Sequence, residues 1–224
     1  GGKEDITVET YLSLLTFYTR KPVKMVWSRE ESIEVHSKRH PEFMHYKTGA
    51  TKDGKIIAQE VEIYLDAGGY IMLTGWVQMY STINASGCYD VPNVSVKSYS
   101  ALTNKVPNSA NRGFGANQPN VAYEAQMDEI AERLGMTPAE IRKINCLKNG
   151  DELCTGFVLE GHIALEELND KTWAKLNDTP KKDRTSDGRK IGRGIALGMM
   201  SYGRLCFLHD NSRVAVRVEL DGSV

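Results

Sequence analysis

The sequence predicts an α+β fold: β-hairpins and strands mixed with several packed helices. Three observations carry this expectation. Apolar residues recur at helical spacing in several separate windows. Other windows alternate apolar and polar residues with a period of two. Asp53-Gly54 stands between two such alternating runs, which is a strong short-range sign of a hairpin.

Each element follows from local chemistry. Residues 5–20 carry an apolar stripe (Ile6, Tyr11, Leu12, Leu14, Leu15, Tyr18), and Pro22 ends it, so a helix is expected there. Residues 23–27 alternate weakly and read as a strand. Ser28 followed by Arg29, Glu30 and Glu31 reads as an N-cap opening a short helix. Residues 43–50 and 56–66 are the two arms of the hairpin. Residues 76–84 read as a helix and 94–102 as a strand. The polar, glycine-rich stretch 104–120 is an irregular loop that delivers the chain to an amphipathic helix over 121–134, closed by Gly135. Thr137-Pro138-Ala139-Glu140 opens another helix, running to about Leu147, with Thr as cap, Pro at the first helical position and Glu in the capping-box place. A helix over 163–176, a polar linker and strands over 192–202 and 214–220 complete the chain. The expected organisation is a first region at 1–176, a linker at 177–190 and the start of a second region at 191–224.

Composition sets the class. The 224 residues are 41% hydrophobic and 25% charged, with a formal net charge of -1. That balance gives no electrostatic case for nucleic acid or an anionic membrane, and no apolar run is long enough to span one. With no signal peptide, a cytoplasmic location is expected. Cys88, Cys146, Cys154 and Cys206 form no C-x-x-C pair and no Cys/His grouping with metal spacing, so they read as buried reduced thiols. His36 and His40 are four apart, but Pro41 disfavours helix at His40, which argues against a shared metal. The chain opens on Gly1 without Met and closes on a turn at Asp221-Gly222, so both ends are expected to be cut from something longer.

Two motifs carry chemistry. Gly1-Gly2-Lys3-Glu4 stands at a helix start, where backbone N–H groups and the helix dipole favour an anion or oxo group and Glu4 could meet a bound substrate. Arg112-Gly113-Phe114-Gly115 combines a rigid donor fork suited to oxyanions, a flat apolar ring, and flanking glycines that allow close backbone approach. Taken alone, the first is equally a glycine-rich helix start, and the second a tight turn with an anchoring Phe; the plainer alternative is the commoner in each case.

Together and in order, the motifs resemble the molybdenum-binding subunit of the xanthine dehydrogenase and aldehyde oxidase family. The resemblance runs from Gly1 to Asp151. It includes Gly1-Gly2-Lys3-Glu4, Arg39-His40-Pro41, Lys52-Asp53-Gly54-Lys55, Cys88-Tyr89-x-Val91-Pro92-Asn93, Arg112-Gly113-Phe114-Gly115, Arg142-x-x-Asn145 and Asn149-Gly150-Asp151. From 187 to 224 the likeness is thinner. It implies an oxidoreductase in which a molybdenum-pterin cofactor hydroxylates an aromatic heterocycle or an aldehyde with water oxygen. Electrons would pass to [2Fe-2S] clusters and FAD on other domains or subunits. It further implies substrate-binding roles for Glu4 and Phe114, and cofactor-binding roles for Gly1, Gly2, Arg112, Gly113 and Gly115.

Departures from the family pattern matter. Eight residues before Cys88, purine-oxidising relatives carry an arginine; here the residue is Tyr80. Tyr80 is therefore expected to line the substrate pocket and to disfavour xanthine, because a phenol donates only one neutral hydrogen bond where a guanidinium donates charged, paired ones. Ala116-Asn117 replaces the family's usual Gly-Pro. The family's remaining cofactor loops and its catalytic base would fall outside residues 1–224. No catalytic residue and no direct metal ligand is expected within the chain, and on its own it is expected to be inactive and to hold no cofactor. The expected partners are the rest of the molybdenum subunit, the iron–sulfur and flavin parts, and a small aromatic substrate. The alternative is a stand-alone, non-catalytic binding or scaffold domain.

Overall fold

The computed structural model describes residues 7–180, 182–200, 214, 216, 217, 219 and 221. Glu4, Gly1, Gly2 and Cys206 lie outside the described residues. The elements run α1 (Thr7–Thr19), α2 (Arg29–Val35), β1 (Glu42–Ala50), β2 (Ile56–Gly68), α3 (Thr74–Ile83), β3 (Val94–Leu102), α4 (Asn117–Leu134), α5 (Pro138–Asn145) and α6 (Leu165–Asp178).

The sheet has the order β1-β2-β3. β1 and β2 form the expected antiparallel hairpin, and β3 joins β2 in parallel. A parallel neighbour requires a crossover, and α3 supplies it, so β2, α3 and β3 make one βαβ unit. β2 alternates faces. Val61, Ile63, Leu65 and Ala67 are buried; the first three pack with Val77 and Ala85 beneath α3, while Glu60 and Tyr64 face outward.

A larger cluster joins Ile56, Cys88, Tyr89, Tyr123, Met127, Ile141 and Leu147, binding α4 and α5 to the hairpin base. Its polar centre is Arg142, which is 0% exposed. Its guanidinium donates to Glu124 Oε2 at 2.8 Å, Asp128 Oδ1 at 2.8 Å and the Pro138 carbonyl at 3.0 Å. Tyr89 donates its hydroxyl to the other Glu124 oxygen. Asn145 works similarly: its amide donates to the Gly54 and Ile141 carbonyls, and its oxygen accepts from the Ile56 N–H. The buried charge and amide are thus fully engaged, as a dry interior requires.

Local capping accounts for α2 and α5. Ser28 with Glu31, and Thr137 with Glu140, close reciprocal capping boxes, each of a kind that contributes about 1 kcal/mol. α4 begins at Asn117, four residues before the sequence pattern suggests. Pro119 is no obstacle, because the first-turn N–H groups have no intrahelical acceptor in any case.

Two expected strands are corrected. Residues 23–27 and 192–200 form no strand. Burial does alternate over 23–27 and 195–200, but no neighbouring strand takes up their backbone among the described residues. Residues 201–202 lie outside the described residues, and the described positions within 214–220 carry no strand. Cys154 is also corrected: it is exposed, whereas Cys88 and Cys146 are buried free thiols. Burial pushes the Cys88 thiol up to about 12, which leaves it inert at neutral pH.

Candidate functional site

The Arg112–Gly115 turn connects the sheet side of the molecule to the start of α4. Phe114 N–H donates to the Asn111 carbonyl at 2.8 Å and Ala116 N–H to the Gly113 carbonyl at 2.9 Å, so two tight turns follow one another. This winding drives Gly113, Phe114 and Gly115 to φ of 95°, 52° and 106°. A bulky residue at positive φ is uncommon and costs roughly 1–2 kcal/mol. Here the flanking turns impose it on Phe114, and the result aims its ring at α3.

The glycines are dictated first by the protein itself. A Cβ on Gly115 would sit 2.2 Å from the Val77 carbonyl oxygen, and one on Gly113 would meet the Asn117 side chain at 1.6 Å. The turn therefore lies directly on the backbone of α3. Phe114 is half-buried and packs edge-on against Tyr80, with ring centroids 5.2 Å apart and planes at 86°. Tyr80 is 6% exposed and stands behind Phe114. The structure thus brings Phe114 and Tyr80 together as one aromatic wall, with Phe114 the more accessible member.

Arg112 is exposed, and among the described residues no carboxylate pairs with it. Its carbonyl accepts from the Arg39 guanidinium at 2.7 Å, which concentrates positive charge beside the first turn of an 18-residue helix. That is a setting for an anion. Arg39-His40-Pro41 is consequently the floor of the turn: His40 Nε2 meets Thr74 Oγ1 at 2.9 Å, and Gln118 at the start of α4 donates to the His40 carbonyl at 3.2 Å.

Sequence reasoning missed Glu42. Its Oε2 accepts from the Ser81 hydroxyl at 2.8 Å, and its Oε1 is buried without a hydrogen-bond partner. Burial pushes this carboxyl up to about 7, against the opposing pull of Ser81 and Arg39. Ser81 links it to the turn, because Ser81 N is 3.1 Å from the position a Gly115 Cβ would take. No local signal marks it, since Glu42 and Ser81 are 39 residues apart. A groove of about 370 Å³ between β1 and the C-terminal half of α4, lined by Tyr46, Thr48, Gln126, Glu129 and Arg133, touches none of these residues. Among the described residues no cluster of His, Cys, Asp and Glu could hold a metal ion, and no helix is long and apolar enough to cross a membrane.

Comparison with known proteins decides the family. A family described as the molybdopterin cofactor-binding domain matches residues 1–146. The chain belongs to the xanthine dehydrogenase and aldehyde oxidase family of molybdenum hydroxylases. It is 45% identical over 185 residues to the large molybdopterin subunit of nicotinate dehydrogenase from Eubacterium barkeri, covering 83% of this chain and 44% of that relative. It is 36% identical over 212 residues to a probable xanthine dehydrogenase component of Bacillus subtilis, covering 92% of this chain and 28% of the relative. The aldehyde oxidoreductase of Desulfovibrio desulfuricans superposes with a TM-score of 0.69 at 27% identity, over 76% of this chain and 19% of that one. The chain therefore spans less than half the length of these relatives.

Several family motifs prove to be scaffold. Arg142-x-x-Asn145, Lys52-Asp53-Gly54-Lys55 and Cys88-Tyr89 converge on the α4–α5–hairpin cluster: Leu147 N–H donates to the Cys88 carbonyl, Asp90 N–H to the Asn145 carbonyl, and Lys55 pairs with Asp90 at 2.6 Å. Arg112, Gly113, Phe114 and Gly115 stand apart from that cluster, on the turn.

Proposed function

We propose that this chain supplies one wall of the substrate pocket and one wall of the cofactor site in a molybdenum hydroxylase acting on an aromatic heterocycle. The observation that carries the proposal is the Arg112–Phe114 turn: one strained loop offers an exposed guanidinium on one side and an aromatic wall on the other. The donor set fits an anionic pterin cofactor, because Arg112, backed by Arg39 and the α4 N-terminus, is short of negative charge among the described residues. When bound, the molybdenum-pterin group would supply the two-electron oxidation and activate water oxygen. The electrons would leave through iron–sulfur and flavin centres on other domains or subunits.

The roles of the chain's own residues follow. Arg112 and the backbone of Gly113 and Gly115 bind and orient the cofactor. Phe114 gives a planar ring an edge or face to pack on. Tyr80 fixes the Phe114 ring from behind. Gly1, Gly2 and Glu4 would extend the cofactor and substrate walls. Residues 1–176 belong to the first pterin-binding region, 177–190 link it onward, and 191–224 begin the second. A cytoplasmic location is part of the same proposal.

Substrate choice follows from Tyr80. Purine-oxidising relatives are expected to carry a guanidinium here, and exchanging it for a buried phenol removes a charge-assisted contact worth about 3 kcal/mol where negative charge builds up on the ring, on the order of a hundredfold in rate. The relative at 45% identity is named a nicotinate dehydrogenase, which supports a heteroaromatic acid as substrate. The test is to assay the complete enzyme on xanthine, nicotinate-like acids and aldehydes. A nicotinate-like acid is expected to have the highest kcat/KM; xanthine in first place would overturn the assignment of Tyr80.

A further inference from the structure

Residues 195–200 have the sidedness of a strand, and among the described residues no strand lies beside them. Ile195 and Leu197 are buried and Met199 is half-buried, whereas Ala196, Gly198 and Met200 are exposed. Leu197 and Met199 pack into the α4–α5 cluster. The backbone here is taken up by a helix. Asn120 and Glu124 are one turn apart on α4 and so share a face. Asn120 Nδ2 donates to the Leu197 carbonyl at 3.1 Å, and the Leu197 N–H donates to Glu124 Oε2 at 3.1 Å. The N–H and C=O of a single residue point the same way in an extended chain, and an adjacent strand would normally satisfy both. Here two side chains of a helix do so.

The grip is built to be rigid. Glu124 is clamped by the fully buried Arg142 and by the Tyr89 hydroxyl, and Asn120 also reaches the Tyr123 hydroxyl. A Cβ at Gly198 would lie 3.4 Å from Asn120 Nδ2, at the edge of ordinary contact, so a branched side chain there would crowd the grip. Asn120 and Glu124 lie three and seven residues beyond Asn117, hence about 5–10 Å along the axis from the start of α4, into which the Arg112–Gly115 turn leads, at a rise of 1.5 Å per residue.

We infer that Asn120 and Glu124 are positioning residues that dock the chain beyond the polar stretch 177–190 onto α4, in fixed register with the Arg112–Gly115 turn. For its catalytic consequence the inference rests on the function proposed above: one stiff helix spaces the turn that meets the cofactor from the segment that leads into the second region. Alternating burial fixes which side of 195–199 faces α4, and the paired hydrogen bonds at Leu197 fix which residue sits opposite Asn120. A slip of one residue would place Ala196 or Gly198 there and turn Leu197 outward.

The test uses the complete enzyme with Asn120→Ala, which leaves the Glu124–Arg142–Tyr89 contacts in place, and with Gly198→Val, which crowds the same contact from the other side. Hydrogen exchange is followed at Leu197 and compared with the interior of α5. In the unaltered enzyme the Leu197 amide is expected to be protected. In either variant it is expected to exchange at least tenfold faster with α5 unchanged, while kcat falls several-fold at unchanged KM. An unprotected Leu197 amide in the parent, or unchanged exchange in both variants, overturns the docking. Faster exchange with kcat and molybdenum content both unaltered overturns the positioning role. A parent enzyme without molybdenum would instead overturn the proposed function, and the exchange measurement would still judge the docking.

Discussion

Replacing Gly115 by Ala should unseat the turn that carries Arg112 and Phe114. Two costs add. At φ 106° an L-residue is strained, by roughly 1–2 kcal/mol. The new methyl would also lie 2.2 Å from the Val77 carbonyl oxygen and 3.1 Å from Ser81 N. Both are backbone atoms of α3, so relief requires the turn and the helix to part by about 1 Å, an overpacking cost of about 1–3 kcal/mol. The sum is about 2–5 kcal/mol. Gly135→Ala is the matched control, because Gly135 also has positive φ (68°) but nothing within 4 Å of its would-be Cβ. It should cost only the conformational part, about 1–2 kcal/mol. Urea unfolding followed by far-ultraviolet circular dichroism measures both, with equal slopes required before the midpoints are compared. If Gly115→Ala destabilises no more than Gly135→Ala, the turn is not seated on α3 and the Phe114–Tyr80 wall loses its basis.

Two further outcomes follow from the buried charges. Glu42 is held neutral by burial, with its carboxyl pushed from the ordinary 4.5 up to about 7; its contribution to stability is therefore complete below pH 4.5 and is lost as pH rises through 7. Glu42→Gln should flatten that decline in thermal melts taken from pH 4.5 to 8, and an unchanged slope would show that another group titrates. Arg142→Met should cost about 3–5 kcal/mol by leaving Glu124 buried and uncompensated, and adding Glu124→Gln should recover part of the loss in the same melts; equal loss in the single and double variants would exclude a charge effect.

What the sequence revealed depended on distance along the chain. The capping boxes at Ser28 and Thr137, the Asp53-Gly54 hairpin and the C-cap at Gly135 are local, and each stands where the residues indicate. Burial alternates over 23–27 and 195–200, so both segments have an inward and an outward side. A period-two pattern could not reveal whether a partner strand exists, because sidedness belongs to the segment and a ladder belongs to the pair. The parallel register of β2 with β3, and the docking of Leu197 on α4, depend on such distant partners. Within the candidate site, the turn at Gly113 and Gly115 was legible from its glycines, whereas ligand roles for Arg112 and Phe114 came only from the resemblance. Glu42 was not legible, since its environment is made by Ser81 and Arg39 arriving from other elements. The family motifs were legible as a set, yet only the structure shows that some of them, such as Arg142 and Asn145, hold the scaffold.

The most direct measurement is a crystal structure of the complete enzyme with a slowly turned-over heteroaromatic carboxylate bound. The account predicts the substrate ring packed on Phe114 with centroids about 4.5–7 Å apart, Tyr80 behind it, and Arg112 turned to the cofactor side. A ring bound away from Phe114, or Arg112 paired with a protein carboxylate and remote from the cofactor, would contradict it.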